Sequence, residues 1–278
     1  MPESNINYAE KYEKEIDERF KLASITDAAV NQNYDFDGVN KINIYSAETA
    51  ESNDYTRYGT NRYGTPSELG TALQSLELTQ DKSFTFTIDK GNHSDSVMVN
   101  GAANALQREI DEVVTPTIDK YRLTVIAENA GTTLEQEISS ETAYTMFLDA
   151  TTILTENLVP VQNRIAYVSS GFYTALKLDK NFTGCADRAN EIAVNGAVAT
   201  VDKISIIIAP ASYLPENVNF IITHPAATLR PIKLADYIVH EKPPGINGWL
   251  CEGRVYYDAF VLNNKKKAIV VSKKPATT

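Results

Sequence analysis

"LQREIDEVVTPTIDKYRL" occupies residues 106–123. Leu106, Ile110, Val113 or Val114, Ile118, Tyr121 and then Val125 recur at helical intervals, so the stretch reads as one face of a helix covering 100–130. Asn100 can cap its start and Gly131 can end it. A helix of that length measures about 45 Å, more than a small globular core needs. It reads as a backbone on which other parts hang. Pro116 lies in the middle, where its missing N–H tends to bend or split a helix. Glu109, Asp111 and Glu112 read as the solvated face of this helix rather than as a metal or acid–base site.

Working upstream, "SFTFTID" (83–89) alternates as a strand, with Phe84, Phe86 and Ile88 on one face and Thr85 and Thr87 on the other. "KINIYS" (41–46) alternates in the same way through Ile42 and Ile44. The stretch between them carries little core-forming sequence. An excursion that long is unusual inside a compact domain unless it is functional or disordered. Leu73, Leu76 and Leu78 argue against disorder, and the region reads as a long two-stranded arm. An isolated hairpin is marginal in water, so the arm should rest on another surface. Within it, "TRYGTNRYGTP" (56–66) repeats Arg-Tyr-Gly-Thr and closes on Pro66. Further upstream, Tyr8, Tyr12, Ile16 and Phe20 mark a short amphipathic helix over 8–22, followed by a polar, extended stretch.

Downstream, a second helix is expected near 140–158 and a strand at 163–170, with Ser169 or Ser170 capping a short helix "GFYTALKL". Strands follow at 191–201, 203–210 and 218–224, the last two nearly continuous apolar runs and hence buried on both faces. Near the end, two strands flank Asn263-Asn264, which reads as a hairpin turn.

The chain has 278 residues, 43% of them hydrophobic, enough for one large domain or two smaller ones. Charged residues at 22%, with ordinary Gly and Pro, argue against wholesale disorder. No apolar run reaches the roughly 20 residues of a membrane span, and the polar N-terminus "MPESNINYAEKYEKEIDERF" has no signal-peptide core, which implies synthesis in the cytoplasm. A net charge of −10 suits enclosing nucleic acid better than gripping it. Cys185 and Cys251 match no metal or redox spacing and read as reduced thiols. His93, His224 and His240 start no metal site, and His224 before Pro225 reads as structural. "GTNRYG" (59–64) lacks the Lys-Ser/Thr of a phosphate loop, and "YVSSG" (167–171) is a strand end and cap rather than a nucleophile elbow. The sequons at 92–94 and 181–183 carry no meaning without secretion. Lys265, Lys266, Lys267, Lys273 and Lys274 form the one basic cluster, read as a solvated turn with weak phosphate contact as its sharper alternative. No catalytic, cofactor-binding or metal residues emerge. The excess lies in 15 tyrosines against one tryptophan, and tyrosine and arginine are favoured at protein interfaces.

Three of these stretches resemble the major capsid proteins of tailed bacteriophages with the Hong Kong 97-type fold. "LELTQDKSFTFTIDK" (76–90) is similar to the returning strand of that family's extended loop. Residues 106–123 are similar to its spine helix, including Pro116 and the following Ile-Asp-Lys-Tyr-Arg. "GRVYYDAFVLNNKKKAIVV" (253–271) is similar to its C-terminal strands. The resemblance implies an α+β chain with an N-terminal arm at 1–40, an extended β-hairpin loop at 41–90 and a peripheral domain with the spine helix at 91–139. It places an axial α/β domain at 140–240 and C-terminal strands returning to the peripheral domain at 241–278. It implies a non-enzymatic subunit that forms hexamers and pentamers of an icosahedral shell around double-stranded DNA. Such a shell is assembled in the host cytoplasm, with portal, separate scaffolding or decoration proteins as partners, and without cofactor or membrane. Some members crosslink through a loop lysine; none occurs between Lys41 and Lys82, so no such crosslink is expected.

Two other readings stay open: an encapsulin-like shell around protein cargo, and a soluble α/β enzyme whose site is built from scattered carboxylates. Under the shell reading, Arg57, Tyr58, Arg62 and Tyr63 are the candidate subunit-interface residues, Gly59 and Gly64 let the backbone turn, and Pro66 stiffens the return. The alternative is a solvated loop tip with a chance repeat.

Overall fold

The computed structural model describes residues 24–27, 30–31, 41–47, 49–50, 52–66, 68–91, 102–185 and 197–275. The expected helix at 8–22, the cap at Asn100, His93 and the first sequon lie outside them. Contacts divide the chain into two units. The larger holds Ile25–Gln80, Asp119–Lys233 and Tyr256–Thr278, and the smaller holds Asp81–Ile118 and Leu234–Val255.

The larger unit is organised by a six-stranded mixed sheet in the order β4-β13-β8-β5-β7-β6. These strands are β4 (Thr132–Glu135), β5 (Ile165–Ser169), β6 (Ala197–Val201), β7 (Ile204–Ala209), β8 (Val218–Thr223) and β13 (Val270–Lys273). β5 runs parallel to β7 and β13 parallel to β4, while β8 is antiparallel to both β5 and β13. Alternate residues feed opposite cores. Ala166, Val168, Ile204, Ile206, Phe220, Ile222 and Val270 enter one, and Ile165, Tyr167, Ile207, Ala209, Ile221 and Val271 the other. Both faces being covered accounts for the unbroken apolar runs. A register shift between Ser272 and Lys273 turns Val218 into the second core, out of step with Phe220.

Helix α3 (Ala143–Glu156) buries Ala143, Met146, Phe147, Ala150 and Leu154, a three-and-four spacing that lays one stripe on the first core. Helix α4 (Ser170–Leu178) is capped by Ser169, whose Oγ accepts the Phe172 N–H at 3.2 Å. Phe172 and Phe220 meet with ring centroids 4.7 Å apart. Arg164, wholly buried, donates to the carbonyls of Val159 (2.6 Å) and Pro160 (2.9 Å) and to Thr155 Oγ1 (3.2 Å). It thereby satisfies groups around the C-terminal end of α3, where carbonyls lack helical partners. Asp179 joins the N-termini of two helices, accepting the N–H of Tyr144 (3.0 Å) and of Asn181 (2.9 Å) at the start of α5 (Lys180–Cys185).

The stretch at 106–123 is helical, but not with one uniform phase. Helix α1 (Ala102–Glu109) runs into a π turn at Ile110–Val114, then α2 (Thr115–Glu128). The Thr115 N–H reaches back to the Ile110 carbonyl. The wide turn lies directly before Pro116, so the proline's cost is taken up by local unwinding rather than by a break. The extra residue shifts the buried face. Val113 is 48% exposed, while Ile118, Asp119, Arg122, Leu123, Ile126 and Ala127 are buried. Gly131 does not act as a left-handed cap. A Cβ there would lie 2.4 Å from the Lys266 carbonyl oxygen, which accepts the Gly131 N–H, so the glycine permits close backbone approach.

The expected hairpin at Asn263-Asn264 is corrected. Residues Asn263–Ala268 form a 3₁₀ turn between strands of different sheets. β12 (Phe260–Val261) pairs with β9 (Thr228–Leu229), whereas β13 enters the large sheet. Leu262 and Ile269, on either side of the turn, are buried in different clusters and pull the chain apart there. The lysine cluster is split as well: Lys265–Lys267 precede β13, and Lys273 ends it.

In the smaller unit, β3 (Gln80–Asp89), β10 (Ile232–Glu241) and β11 (Gly248–Tyr257) form a sheet in the order β10-β11-β3. Phe84 stacks on Phe86 at 6.3 Å and on Tyr237 at 6.1 Å. Arg254 grips Asp81 through two bonds of 2.9 and 2.6 Å, which lowers that carboxyl's pKa.

Candidate functional site

The arm is a shorter hairpin than the sequence suggests. β1 (Lys41–Ala47) pairs antiparallel with β2 (Thr71–Glu77), from Lys41 opposite Glu77 to Ala47 opposite Thr71. β3 leaves for the smaller sheet after Thr79, whose N–H (2.7 Å) and hydroxyl (2.9 Å) both bond to the buried Asp258 carboxylate. The hairpin rests on the larger unit as its instability in isolation requires. Leu76 and Leu78 pack in a cluster with Leu229 and Leu262, joined by Ile42 and Ile44. Gln74 clamps the backbone beside that cluster, donating to the Val261 carbonyl (3.0 Å) and accepting the Asn263 N–H (2.9 Å).

Strand alternation puts the opposite face outward. Lys41–Glu77, Asn43–Ser75 and Tyr45–Leu73 are cross-strand neighbours there. Tyr45 is 71% and Leu73 56% exposed. The connection at the far end holds Arg57, Tyr58, Arg62 and Tyr63, all exposed. It is tied to itself. The Thr56 N–H donates to the Arg62 carbonyl (3.0 Å), Gly64 N–H to Asn61 carbonyl (3.1 Å), and Arg62 Nε to Gly59 carbonyl (3.2 Å). The Tyr55 and Tyr63 rings meet edge-on at 5.0 Å. Gly59 and Gly64 sit at φ +102° and +85°, and a Cβ on Gly64 would also strike the Asn53 side chain. Both turns therefore need glycine.

The structure thus brings the four sequence-predicted residues into one exposed turn. Sequence reasoning missed Tyr45, Tyr55 and Leu73. The first and last lie on the strand face that alternation sends outward, a signal available once the hairpin register is known.

Other groups carry less chemistry. A cleft of about 190 Å³ beside the hairpin, lined by Tyr45, Ser46, Gln74, Asn263 and Lys265, is below the range of roughly 300–1,000 Å³ typical of small-molecule sites. A depression of about 420 Å³ over the smaller sheet is lined by Asp236, Ile238, Glu252 and Arg254. His240 pairs with Glu252 at 3.2 Å, and His224 Nδ1 accepts the Ala226 N–H as a cap. Burial lowers the His224 pKa. Among the described residues, no three His, Cys, Asp or Glu side chains gather to hold a metal ion, and no helix is long and apolar enough to cross a membrane. Cys251 is a buried free thiol, its pKa raised by burial.

Among the described residues, a polar network with a buried core lies in the larger unit. Asp119, 1% exposed, accepts the Ile25 N–H (2.9 Å) and the Thr26 hydroxyl. Arg122, 2% exposed, donates to Thr26 Oγ1 and Asp27 (both 3.0 Å), and Arg230 also bonds Asp27. Burial pulls the Arg122 pKa down, opposed chiefly by the Asp27 charge. The Tyr167 hydroxyl donates to the Ile25 carbonyl at 3.0 Å. This network fixes residues 25–27 against α2 and β5. It is a positioning device for that segment.

No protein-family model and no curated protein matches the sequence. Solved structures do. A chain of Mycobacterium phage Che8 is similar with a TM-score of 0.77 at 18% identity, over 98% of this chain and 99% of that one. The capsid structure of the cyanophage P-SCSP1u gives 0.75 at 12%, over 98% and 94%. The mature capsid of bacteriophage PhiM1 gives 0.73 at 11%, over 98% and 93%. Likeness end to end, at identities this low, is likeness of fold: this α+β chain has the fold of solved phage capsid proteins.

Proposed function

We propose that the chain is the major head protein of a tailed bacteriophage, a structural subunit and not an enzyme. The observation that carries this is the end-to-end correspondence of fold with solved phage capsid chains. The exposed tyrosine–arginine turn supports it, being a surface rich in interface residues without a catalytic constellation. In this reading, residues 1–40 are the N-terminal arm and 41–90 the extended loop of a Hong Kong 97-like subunit. Residues 91–139 with the spine helix, and the strands of 241–278, belong to the peripheral domain, and 140–240 to the axial domain. Copies associate into hexamers and pentamers and close an icosahedral shell around double-stranded DNA, assembled in the host cytoplasm. Arg57, Tyr58, Arg62 and Tyr63 meet a neighbouring copy. Portal, separate scaffolding and decoration proteins are the expected further partners. A net charge of −10 suits a container that must not trap its DNA.

Size-exclusion chromatography of the full chain with negative-stain microscopy tests this. Capsomers, tubes or shells are expected, and an inert monomer of 30.7 kDa at high concentration overturns it. Particles that enclose protein rather than DNA would reassign the chain to an encapsulin-like shell.

A further inference from the structure

His224 follows β8 and opens the 3₁₀ turn Pro225–Ala227. Its Nδ1 accepts the Ala226 N–H at 3.1 Å, and its carbonyl accepts the Ala227 N–H at 2.9 Å. With Nδ1 accepting, the other ring nitrogen carries the proton and donates it to the Gln162 carbonyl. Both ring nitrogens are committed, and only the neutral ring fits both bonds. A second proton would go to Nδ1. It would turn the cap's acceptor into a donor facing the Ala226 N–H.

The charges around the ring add to that cost. Residues 157–164 and the turn Asn263–Ala268 pack against this corner. Their ionisable groups are Arg164, Lys265, Lys266 and Lys267, and neither segment contains a carboxylate. Residues 225–231 add only Arg230, and the strand residues alongside, Ile165 and Val270, are apolar. Burial first, then the Arg164 and Lys265 charges, hold the ring's pKa below the ordinary histidine value, with the Gln162 bond opposing them. The same corner carries the support of the hairpin. The Ala227 carbonyl accepts the Leu262 N–H (3.0 Å), and the Thr228 carbonyl accepts the Asn31 N–H (2.9 Å). Leu229 and Leu262 pack with Leu76 and Leu78 in the cluster on which the hairpin rests.

We propose that His224 is an acid-sensitive latch: protonation of its ring releases residues 225–229 and loosens the cluster that supports the β1–β2 hairpin. The latch is whole above the ordinary histidine value of about 6.5 and is lost as pH falls below it, because the unfolded chain takes up the proton more readily than the folded one. The proposal does not depend on the shell-subunit reading.

The test measures amide protection in the full-length chain at about pH 7.5 and about pH 5.5, on either side of histidine's charge change and corrected for intrinsic exchange. It compares the wild type with His224→Asn, whose side chain can still accept the Ala226 N–H but does not titrate. In the wild type, protection at Ala226, Ala227 and Leu262 should fall at least about threefold on acidification, the weaker end of what losing a cap does. In His224→Asn it should stay within about twofold, because the cap survives. An equal fall in both proteins, or none in the wild type, overturns the proposal. So does a His224 ring that titrates above about 6.5 in side-chain NMR of the folded wild type, a readout that needs no variant. His240→Gln, at the exposed pair with Glu252, should keep the wild-type fall. Its loss there would move the switch to His240 and overturn the proposal.

Discussion

Replacing Asp119 by alanine should unfasten residues 25–27 from the larger unit. The carboxylate is 1% exposed and accepts the Ile25 N–H and the Thr26 hydroxyl, and Arg122 lies 3.8 Å away with 3% of its side chain exposed. Removing one partner of a buried ion pair costs about 3–5 kcal/mol, and an orphaned buried donor about 1–3 kcal/mol. These overlap, because Arg122 keeps Asp27 and Thr26, so the expected loss is about 4 kcal/mol. For a chain of this size that is a fall in Tm of roughly 8–12 °C. Arg122→Met alone should cost less, since Arg230 remains to pair with Asp27. The double variant should be less destabilised than the sum of the two by at least about 1 kcal/mol, the mark of direct coupling. Calorimetry on the four proteins decides. A loss under about 1 kcal/mol for Asp119→Ala, or strict additivity, would refute the claim that this network holds the segment.

Tyr121 is kept neutral by burial first and then by Asp258 at 2.7 Å, which together push its pKa up to about 12. The unfolded chain ionises it near 10, so its contribution is whole below pH 10 and is lost as pH rises from 10 to 12. Tyr121→Phe should flatten that alkaline fall in urea-melt stability; an unchanged alkaline limb would count against the assignment. Arg164→Met should cost about 2 kcal/mol, the orphaned Val159 and Pro160 carbonyls outweighing the relief of burying a charge, and should speed amide exchange at the end of α3. Unchanged exchange would remove its anchoring role. Replacing Arg57, Tyr58, Arg62 and Tyr63 together with serine should leave the Tm within about 2 °C, because all four are exposed, and should impair shell formation. Normal shells from that protein would return the repeat to a solvated loop tip.

What the sequence made legible follows from how each signal arises. Alternation in "SFTFTID" predicted a strand with Phe84, Phe86 and Ile88 on one face, and those three, with Gln80 at the strand's start, are the half-buried positions of β3. The apolar runs that become β7 and β8 identified the sheet interior, because a strand covered on both sides has no polar face to conserve. Ser169 was legible as a cap because its hydroxyl precedes the helix it closes. The hairpin at Asn263-Asn264 was misread since turn residues specify only a local bend. Where the flanking strands go is decided by Leu262 and Ile269, whose separate clusters no local pattern reveals.

The stretch at 106–123 marks the limit more sharply. Its helix was legible, and so was its face as far as Ile118; beyond that the buried positions are Arg122 and Ile126 rather than the expected Tyr121 and Val125, because counting in steps of three and four assumes that every turn has the same width. The π turn before Pro116 breaks that assumption, and the residues beyond it rotate onto a different face. Asp119 and Arg122 then fall inside, where charged residues are rarely expected. Their burial is tolerable because Ile25, Thr26 and Asp27, more than 90 positions away, supply their hydrogen-bond partners and the two charges lie 3.8 Å apart. The same logic reverses at the Arg-Tyr repeat. There the order is local, made by the Tyr55–Tyr63 contact and short backbone bonds, so the residues were legible as a group. A turn that spends its bonds on itself and leaves its tyrosines in water is shaped before any partner arrives, which lowers the entropy cost of each repeated contact. Under the proposed shell reading, that is the property a subunit needs when its assembly is the sum of many weak, identical interfaces.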